Sequence, residues 1–278
     1  METNPLTKLE THFDFGENWA NFAESVNGRL LDHARSGMAK LLGPDIKGRS
    51  FLEIGCGSGI HTFAALQLGA IHATALDIDS RAVETARSLL LEHAPNGPWQ
   101  VMHQSVFEVP VGSLQHDIVY SWGALHHTGD MEAALERAAS LVKPGGLLAI
   151  AVYRKTPMCR FWRAEKKLFS RAPKWYRNIV ELGYIVLFVW GLVATGRNPA
   201  RYIKEYPRAR GMTFGTDVRD WLGGYPYESA SPQEVRGWLA RLGFCEERYF
   251  PSRTRLGLLG VGCDEYRFRK ADHQTSVT

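Results

Sequence analysis

The chain has 278 residues, of which 45% are hydrophobic and 22% charged, and its formal net charge is +4. This composition is typical of a soluble globular enzyme, and the length favours one large domain or one domain with a substantial insertion. So small a charge does not by itself indicate nucleic-acid binding, and four scattered cysteines without CxxC spacing argue against a zinc site or a disulfide framework.

The amino-terminal region, residues 1–47, is predicted to be helical and rich in aromatic residues. It begins without the apolar run of a signal peptide, and its unclustered cysteines fit a reducing cytoplasm. Within "FDFGENW", Phe15 and Trp19 are candidate walls of a lid that folds over a ligand. The alternative is an amphipathic helix that only packs on a sheet.

Strands and helices alternate through residues 48–153, which we take as the core of the fold. Gly69 is expected to end the first helix, and Ser80 to be the N-cap of the second. Short loops between the elements favour βαβ units and a parallel sheet. The predicted segments are, in order, SFLEIGC, GIHTFAALQLGA, HATALD, SRAVETARSLLLEHA, WQVMHQS, HDIVYSWG, DMEAALERAASLV, the turn KPGG and LLAIAVY.

A glycine-rich loop, "EIGCGSG" from Glu53 to Gly59, follows the first strand and opens a helix. Glycines there let the backbone approach a ligand, and the helix amino terminus offers free N–H groups. A dinucleotide fingerprint needs glycine or alanine where Ile60 stands, and a Walker A loop needs a lysine that is missing. What remains is E-x-G-x-G-x-G with Asp77 ending the second strand, placed to accept hydrogen bonds from ribose hydroxyls. A tight strand–helix turn without a ligand is the alternative.

On these residues the sequence resembles the class I S-adenosylmethionine-dependent methyltransferases, and is most similar to small-molecule enzymes of the ubiquinone-biosynthesis type. The resemblance implies an α/β fold with a Rossmann-like seven-stranded sheet, helices on both faces and a helical insertion as a cap. It implies S-adenosyl-L-methionine as cofactor and no metal. The residues that it assigns to the cofactor are Glu53, Gly55, Cys56, Gly57, Gly59, Asp77, Ile78, Ser105, Val106, Ser121 and Trp122.

Two adjacent histidines, His126 and His127, follow the fourth strand in "SWGALHHTGD". Adjacent side chains diverge and no third ligand is near, so a metal site is disfavoured. The resemblance to quinol methyltransferases implies that His127 is the base or orienting group for the acceptor, since an imidazole titrates near neutral pH. His126 is either a second candidate base or a structural residue that caps the next helix. Asp130 is expected to be the N-cap of that helix.

The insertion, residues 154–230, changes character and is the expected source of substrate specificity. Its beginning is strongly basic, and residues 182–196 then carry no charge. These 15 residues fall short of the roughly 20 that cross a bilayer. We weigh a weak contact of residues 154–210 with anionic lipid against a buried cap helix or a homodimer contact. Residues 210–229 are predicted to be a loop that returns to the site, and its candidate acceptor contacts are Arg219, Asp220, Trp221, Tyr225 and Tyr227.

The carboxy-terminal part, residues 231–270, is predicted to contain a helix capped by Ser231 and two closing strands, followed by a tail, residues 271–278. The whole pattern predicts methyl transfer to a small hydrophobic or aromatic acceptor, at oxygen rather than nitrogen or sulfur, with no nucleic-acid partner. Two alternatives remain. One is a non-catalytic cofactor-binding or membrane-surface scaffold, and the other is a nicotinamide-dependent oxidoreductase.

Overall fold

The computed structural model describes residues 15–210, 213–258 and 260–272. The first part of the predicted lid, residues 1–14, and most of the predicted tail therefore lie outside the described residues. The strands are β1 (Ser50–Ile54), β2 (His72–Asp77), β3 (Trp99–His103), β4 (His116–Trp122), β5 (Val142–Tyr153), β6 (Phe244–Phe250) and β7 (Cys263–Lys270). The helices are α1 (Phe15–Ala23), α2 (Gly28–Leu42), α3 (Ile60–Gln67), α4 (Ser80–His93), α5 (Met131–Ser140), α6 (Cys159–Arg171), α7 (Lys174–Ala194), α8 (Pro199–Arg210), α9 (Phe214–Gly223) and α10 (Pro232–Arg241).

The seven strands form one sheet in the order β3-β2-β1-β4-β5-β7-β6. Strands β1 to β5 pair in parallel, and only β7 runs antiparallel to its neighbours β5 and β6. The predicted Rossmann-like seven-stranded sheet is thereby confirmed. The strand order reverses direction at β1 and β4, where the carboxyl ends of two adjacent strands leave a crevice for a ligand.

Two predicted boundaries are corrected by the structure. The N-cap of α4 is Asp79, whose carboxylate accepts from the Arg81 backbone N–H, and Ser80 is the first helical residue. The predicted turn KPGG lies inside β5, where the pairing with β4 shifts register between His116 and Ile118. Asp130 does cap α5, and Ser231 caps α10 in a capping box, as predicted.

Helices cover both faces of the sheet, and each face has its own apolar core. Helices α5 and α10 pack on one face through residues such as Leu135 and Leu239, while α2 and α3 cover the other through Leu41 and Ala64. A third core lies in the cap, where α6, α7 and α9 surround Trp162. These contacts hold the cap beside the carboxyl ends of the strands.

The insertion is helical, and two predictions about it are wrong. Half of the segment predicted as a returning loop is the helix α9, and only residues 224–230 return as a loop. The apolar stretch belongs to α7, which is not a buried helix, because only 6% of its most apolar 18-residue window is buried. By length and composition alone, this one helix among the described residues is suited to crossing a membrane.

Candidate functional site

A cavity of about 480 Å³ lies at the carboxyl ends of β1, β2 and β4, within the size range of small-molecule sites. Helix α1 and the glycine loop form its roof, and α2 forms one wall. Predicted site residues that line it are Phe15, Trp19, Glu53, Gly55, Cys56, Asp77, Ile78, Ser105, Val106, Trp122 and His127. The structure therefore brings most of the predicted cofactor set to one place.

The glycine loop is held by close packing, which explains why three of its positions are glycine. Gly55, Gly57 and Gly59 all have positive φ, between 52° and 79°. A Cβ on Gly57 would lie 2.9 Å from the Trp19 ring, and one on Gly59 would lie 2.9 Å from the Ala86 Cβ. Gly57 and Gly59 thus shape the loop from behind, while Gly55 and Cys56 face the cavity.

Asp77 ends β2 at the cavity and is fixed by two backbone donors. Its Oδ2 accepts from the Gly57 N–H at 3.0 Å, and its Oδ1 accepts from the Asp79 N–H at 3.0 Å. Burial, together with the charges of Asp79 and Glu53, raises the pKa of Asp77 to about 6 despite these bonds. The carboxylate is therefore mainly ionised at neutral pH, and each oxygen keeps a further lone pair for a ligand hydroxyl.

The other acidic residue of the motif, Glu53, is buried at the end of β1. Its carboxylate accepts from the Thr62 hydroxyl, and the His61 Nδ1 lies 3.5 Å from its second oxygen. Thr62 and His61 both belong to the first turn of α3, so the strand and helix on either side of the loop are tied together. His61 also lines the cavity but was missed by the sequence analysis, because histidine at a helix start has no distinctive pattern.

Helix α1 closes over the glycine loop, as the lid interpretation requires. The Gly16 N–H donates to Asp79 at 3.0 Å, and the Trp19 ring covers Gly57. Asn18 donates to Asp220 of α9 at 3.5 Å, which joins the lid to the cap. The Phe15 ring lies 5.0 Å from the His127 ring, measured between centroids. Helix α1 therefore contacts both the glycine loop and the histidine turn.

His127 lies in a short 3₁₀ turn after β4 and lines the cavity. Its Nδ1 is 2.7 Å from the carbonyl oxygen of Pro226. Because a carbonyl only accepts, Nδ1 carries the proton, and in the neutral ring Nε2 is the nitrogen that can accept one. Gly224 packs against the ring, since a Cβ there would lie 2.7 Å from the His127 Cε1.

His126 packs against His127, with ring centroids 4.4 Å apart, but it does not line the cavity, so its prediction as a catalytic residue is corrected. Its side chain is buried outside the cavity and stacks on Tyr153 with ring centroids 3.7 Å apart. Its Nδ1 accepts from the Tyr153 backbone N–H at 3.3 Å, so it does not cap α5 either. Burial, with the charges of His127 and Lys166, holds the pKa of His126 well below its usual range, so the ring is neutral.

Four of the five predicted acceptor contacts from residues 210–229 do not line the cavity. Trp221, Tyr225 and Tyr227 are buried, and Tyr227 donates its hydroxyl to the Cys159 sulfur inside the cap. Arg219 points outward and pairs with Glu181 at 3.1 Å. The fifth predicted contact, Asp220, does line the cavity. The returning loop reaches the site through its backbone instead, with the Glu228 N–H donating to the His126 carbonyl at 3.0 Å.

Ser121 and Trp122, at the end of β4, take different positions. Ser121 is buried behind the sheet and donates to the Ile54 carbonyl at 2.9 Å, so it does not close over a ligand as predicted. Trp122 lines the cavity and donates its indole N–H to Glu265 of β7 at 3.2 Å. Lys40 of α2 lies 3.4 Å from the same carboxylate. Sequence reasoning missed Lys40 and Glu265, because only the sheet order brings β7 beside this wall.

The wall beyond Asp77 is mostly apolar, with two polar side chains at its edge. Ile78, Val106 and Phe107 line it. The Ser105 hydroxyl accepts from the Phe107 N–H at 3.3 Å and so caps a short turn, while Gln104 also faces the cavity. This combination is suited to a flat aromatic group with polar edges. No group of three potential metal-binding side chains occurs among the described residues.

Comparisons with known proteins agree with this geometry. A family profile described as a methyltransferase domain matches residues 51–146. The chain is 34% identical over 109 residues to an uncharacterized methyltransferase of Mycobacterium tuberculosis, covering 39% of this chain and 52% of that protein. It is 35% identical over 136 residues to the ubiquinone biosynthesis O-methyltransferase of Xanthomonas campestris, covering 48% of this chain and 52% of that protein.

The fold is similar to that of a solved magnesium protoporphyrin IX methyltransferase from Synechocystis with bound S-adenosylhomocysteine. That match has a TM-score of 0.53 and 18% identity, and covers 88% of this chain and 89% of the other. The chain spans about half the length of the two curated relatives named above. The resemblance is confirmed: the chain carries a class I S-adenosylmethionine-dependent methyltransferase domain.

Proposed function

We propose that this protein transfers a methyl group from S-adenosyl-L-methionine to a small acceptor held between His127 and the lid. One observation carries the proposal. The His127 ring faces the same cavity as the glycine loop and Asp77, and its Nδ1 is held by the Pro226 carbonyl. A cofactor site and a proton acceptor therefore share one enclosed space.

The residues of the cavity fit this cofactor. Asp77 offers one further acceptor position on each oxygen, which suits the two hydroxyls of a ribose. Ile78 and Val106 would pack on adenine, and Gln104 would reach its polar edge. The Gly55–Cys56 backbone and Glu53 would lie beside the methionine part. When bound, the cofactor supplies an electrophilic methyl group on a sulfonium.

The chain's own residues would position and deprotonate the acceptor. The Phe15 ring and helix α1 line the cavity beside His127, so they would shield a bound acceptor from water. The Nε2 of His127 would take the proton of an acceptor hydroxyl as its oxygen gains the methyl group. The hydroxyl of a phenol is more acidic than that of an alcohol, so an imidazole base deprotonates a phenol more readily. We therefore favour O-methylation of an aromatic or apolar acceptor, over nitrogen or sulfur.

The substitution His127→Asn removes the proton-accepting Nε2 but keeps the hydrogen bond to the Pro226 carbonyl. The asparagine amide stands where Nδ1 stands and can still donate to the Pro226 carbonyl, but nothing replaces Nε2. Calorimetric titration with S-adenosylhomocysteine should give an unchanged affinity. Transfer of a radiolabelled methyl group to small-molecule extracts should fall by about 10²–10⁴-fold. An unchanged transfer rate would refute the assignment of His127 as the base. A loss of affinity for S-adenosylhomocysteine would show only that His127 also contributes to the cofactor site.

The same titration distinguishes the two alternative functions. A nicotinamide-dependent oxidoreductase would bind NAD and not S-adenosylhomocysteine. A non-catalytic scaffold would bind S-adenosylhomocysteine yet transfer no label to any acceptor in the extract. Mass identification of the labelled product would name the acceptor and the methylated atom. Localisation in the cytoplasm stays a prediction.

A further inference from the structure

Helix α7 carries an apolar stripe that the rest of the described chain does not cover. We name the stripe the outer face of α7, and it consists of Trp175, Ile179, Leu182, Val186, Trp190 and Val193. These residues recur every three or four positions, so they lie on one side of the helix. Each side chain is between 58% and 69% exposed. The stripe is about 27 Å long at the usual rise per residue.

Basic residues flank the outer face at both ends. Arg171 and Lys174 precede it and Arg197 follows it, all exposed and without an ion pair among the described residues. The preceding helix α6 has the same composition, with exposed Phe161 and Leu168 beside Lys167. Tryptophan near each end and cations beyond are typical of helices that lie in the headgroup region of an anionic membrane.

We propose that the outer face of α7 docks this protein on an anionic bilayer, with the helix parallel to the membrane plane. The proposal goes beyond methyl transfer and does not depend on it. A spanning helix is disfavoured because the opposite side of α7 packs into the cap. Phe188 contacts Phe214 at 5.2 Å between ring centroids, and Glu181 pairs with Arg219 at 3.1 Å. Spanning would break these contacts and place Glu181 in hydrocarbon.

A second copy of the chain fits the outer face less well than lipid. Cations stand at both ends of the stripe, so pairing α7 with α7 in either direction brings like charges together. An anionic surface instead neutralises both ends while the tryptophans enter the headgroup layer. The favourable contribution is roughly 1 kcal/mol for each basic side chain near such a membrane.

Flotation of the full-length protein with vesicles tests the proposal. Wild type should float with phosphatidylcholine vesicles that contain about 30 mol% phosphatidylglycerol, and bind pure phosphatidylcholine far more weakly. The double variant Arg171→Gln/Lys174→Gln should partition about 30-fold more weakly, because two such charges are lost. Leu182→Glu/Val186→Glu should abolish flotation. Its matched control, Leu91→Glu/Val111→Glu, alters two exposed apolar residues elsewhere and should float like wild type.

Several results would overturn the proposal. Equal flotation of Leu182→Glu/Val186→Glu and of its control would show that α7 is not the docking surface. Equal binding to both vesicle types would exclude anionic recognition, and resistance to carbonate extraction would indicate a spanning helix. Absence of vesicle binding together with a dimer that Leu182→Glu/Val186→Glu dissociates, measured by light scattering, would assign the face to a second copy. Titration of each variant with S-adenosylhomocysteine measures cofactor binding independently of vesicle binding, and it also checks that the variant is folded.

Discussion

Lys166 of α6 is the least expected charged residue in the cap, and replacing it should stabilise the protein. Its side chain is fully buried, and its Nζ lies 3.6 Å above the centre of the Trp221 ring without a hydrogen-bond partner among the described residues. Burial lowers the pKa of Lys166 to about 7, against the opposing charges of Glu165 and Asp220. An unfolded lysine keeps its proton to about pH 10.4.

The pH dependence follows from these two values. Between about pH 7 and 10 the unfolded chain binds more protons than the folded one, so this residue makes the free energy of unfolding rise with pH in that window. Below pH 7 the folded protein must hold a buried ammonium group, and its destabilising effect is greatest there. From pH 7 to pH 9 the destabilisation falls by about 2 kcal/mol, because the side chain is already half deprotonated at pH 7 and the full slope of about 1.4 kcal/mol per pH unit is reached only above it.

The substitution Lys166→Met keeps the length of the side chain and removes the charge. Urea unfolding should show that the variant is more stable than wild type at pH 6, with a gain about 3 kcal/mol larger than at pH 9. The matched control is Lys167→Met, which removes an exposed charge from the next position. A gain of equal size at both pH values, or no gain relative to the control, would refute the reasoning.

Two further predictions concern the cofactor site. Because burial raises the pKa of Asp77 to about 6, the affinity for S-adenosylhomocysteine should fall about fourfold from pH 7.5 to pH 5.5 as the carboxylate is protonated, and calorimetry of Asp77→Asn should show no such change beyond that of the ligand itself. Trp19→Ala should weaken cofactor binding and speed its dissociation, because the indole ring covers Gly57; stopped-flow displacement measures the rate, and an unchanged rate would show that α1 is not a lid.

The parts of the site that sequence predicted are those encoded by residues close together in the chain. The loop from Glu53 to Gly59 and the acid at Asp77 belong to a single βαβ unit, whose geometry is fixed by local hydrogen bonds. Their positions could be predicted because the spacing itself places them at one end of the sheet. Lys40 and Glu265 could not, because α2 and β7 meet Trp122 only through the completed sheet order.

Aromatic residues of the insertion were assigned to the wrong surface. Trp221 and Tyr227 have the composition of pocket walls, but they form the interior of the cap. Composition does not distinguish these positions, since aromatic side chains serve both a core and a ligand site. The outer face of α7 is the opposite situation, in which apolar residues are exposed instead of buried. Apolar residues occur around the whole helix, and only the packing of its inner side through Phe188 and Leu192 shows which stripe is left exposed.

The histidine pair shows how the cap can control the chemistry that the core supports. His126 and His127 are adjacent in a tight turn with ring centroids 4.4 Å apart, and only the His127 ring lines the cavity, whereas His126 packs on Tyr153. Both are held by the same returning loop, because Pro226 accepts from the His127 ring and the Glu228 N–H donates to the His126 carbonyl. A change in the insertion would therefore move His127, the proposed base, without touching Asp77 or the glycine loop. Selection for a new acceptor could act on the cap alone while cofactor binding is preserved.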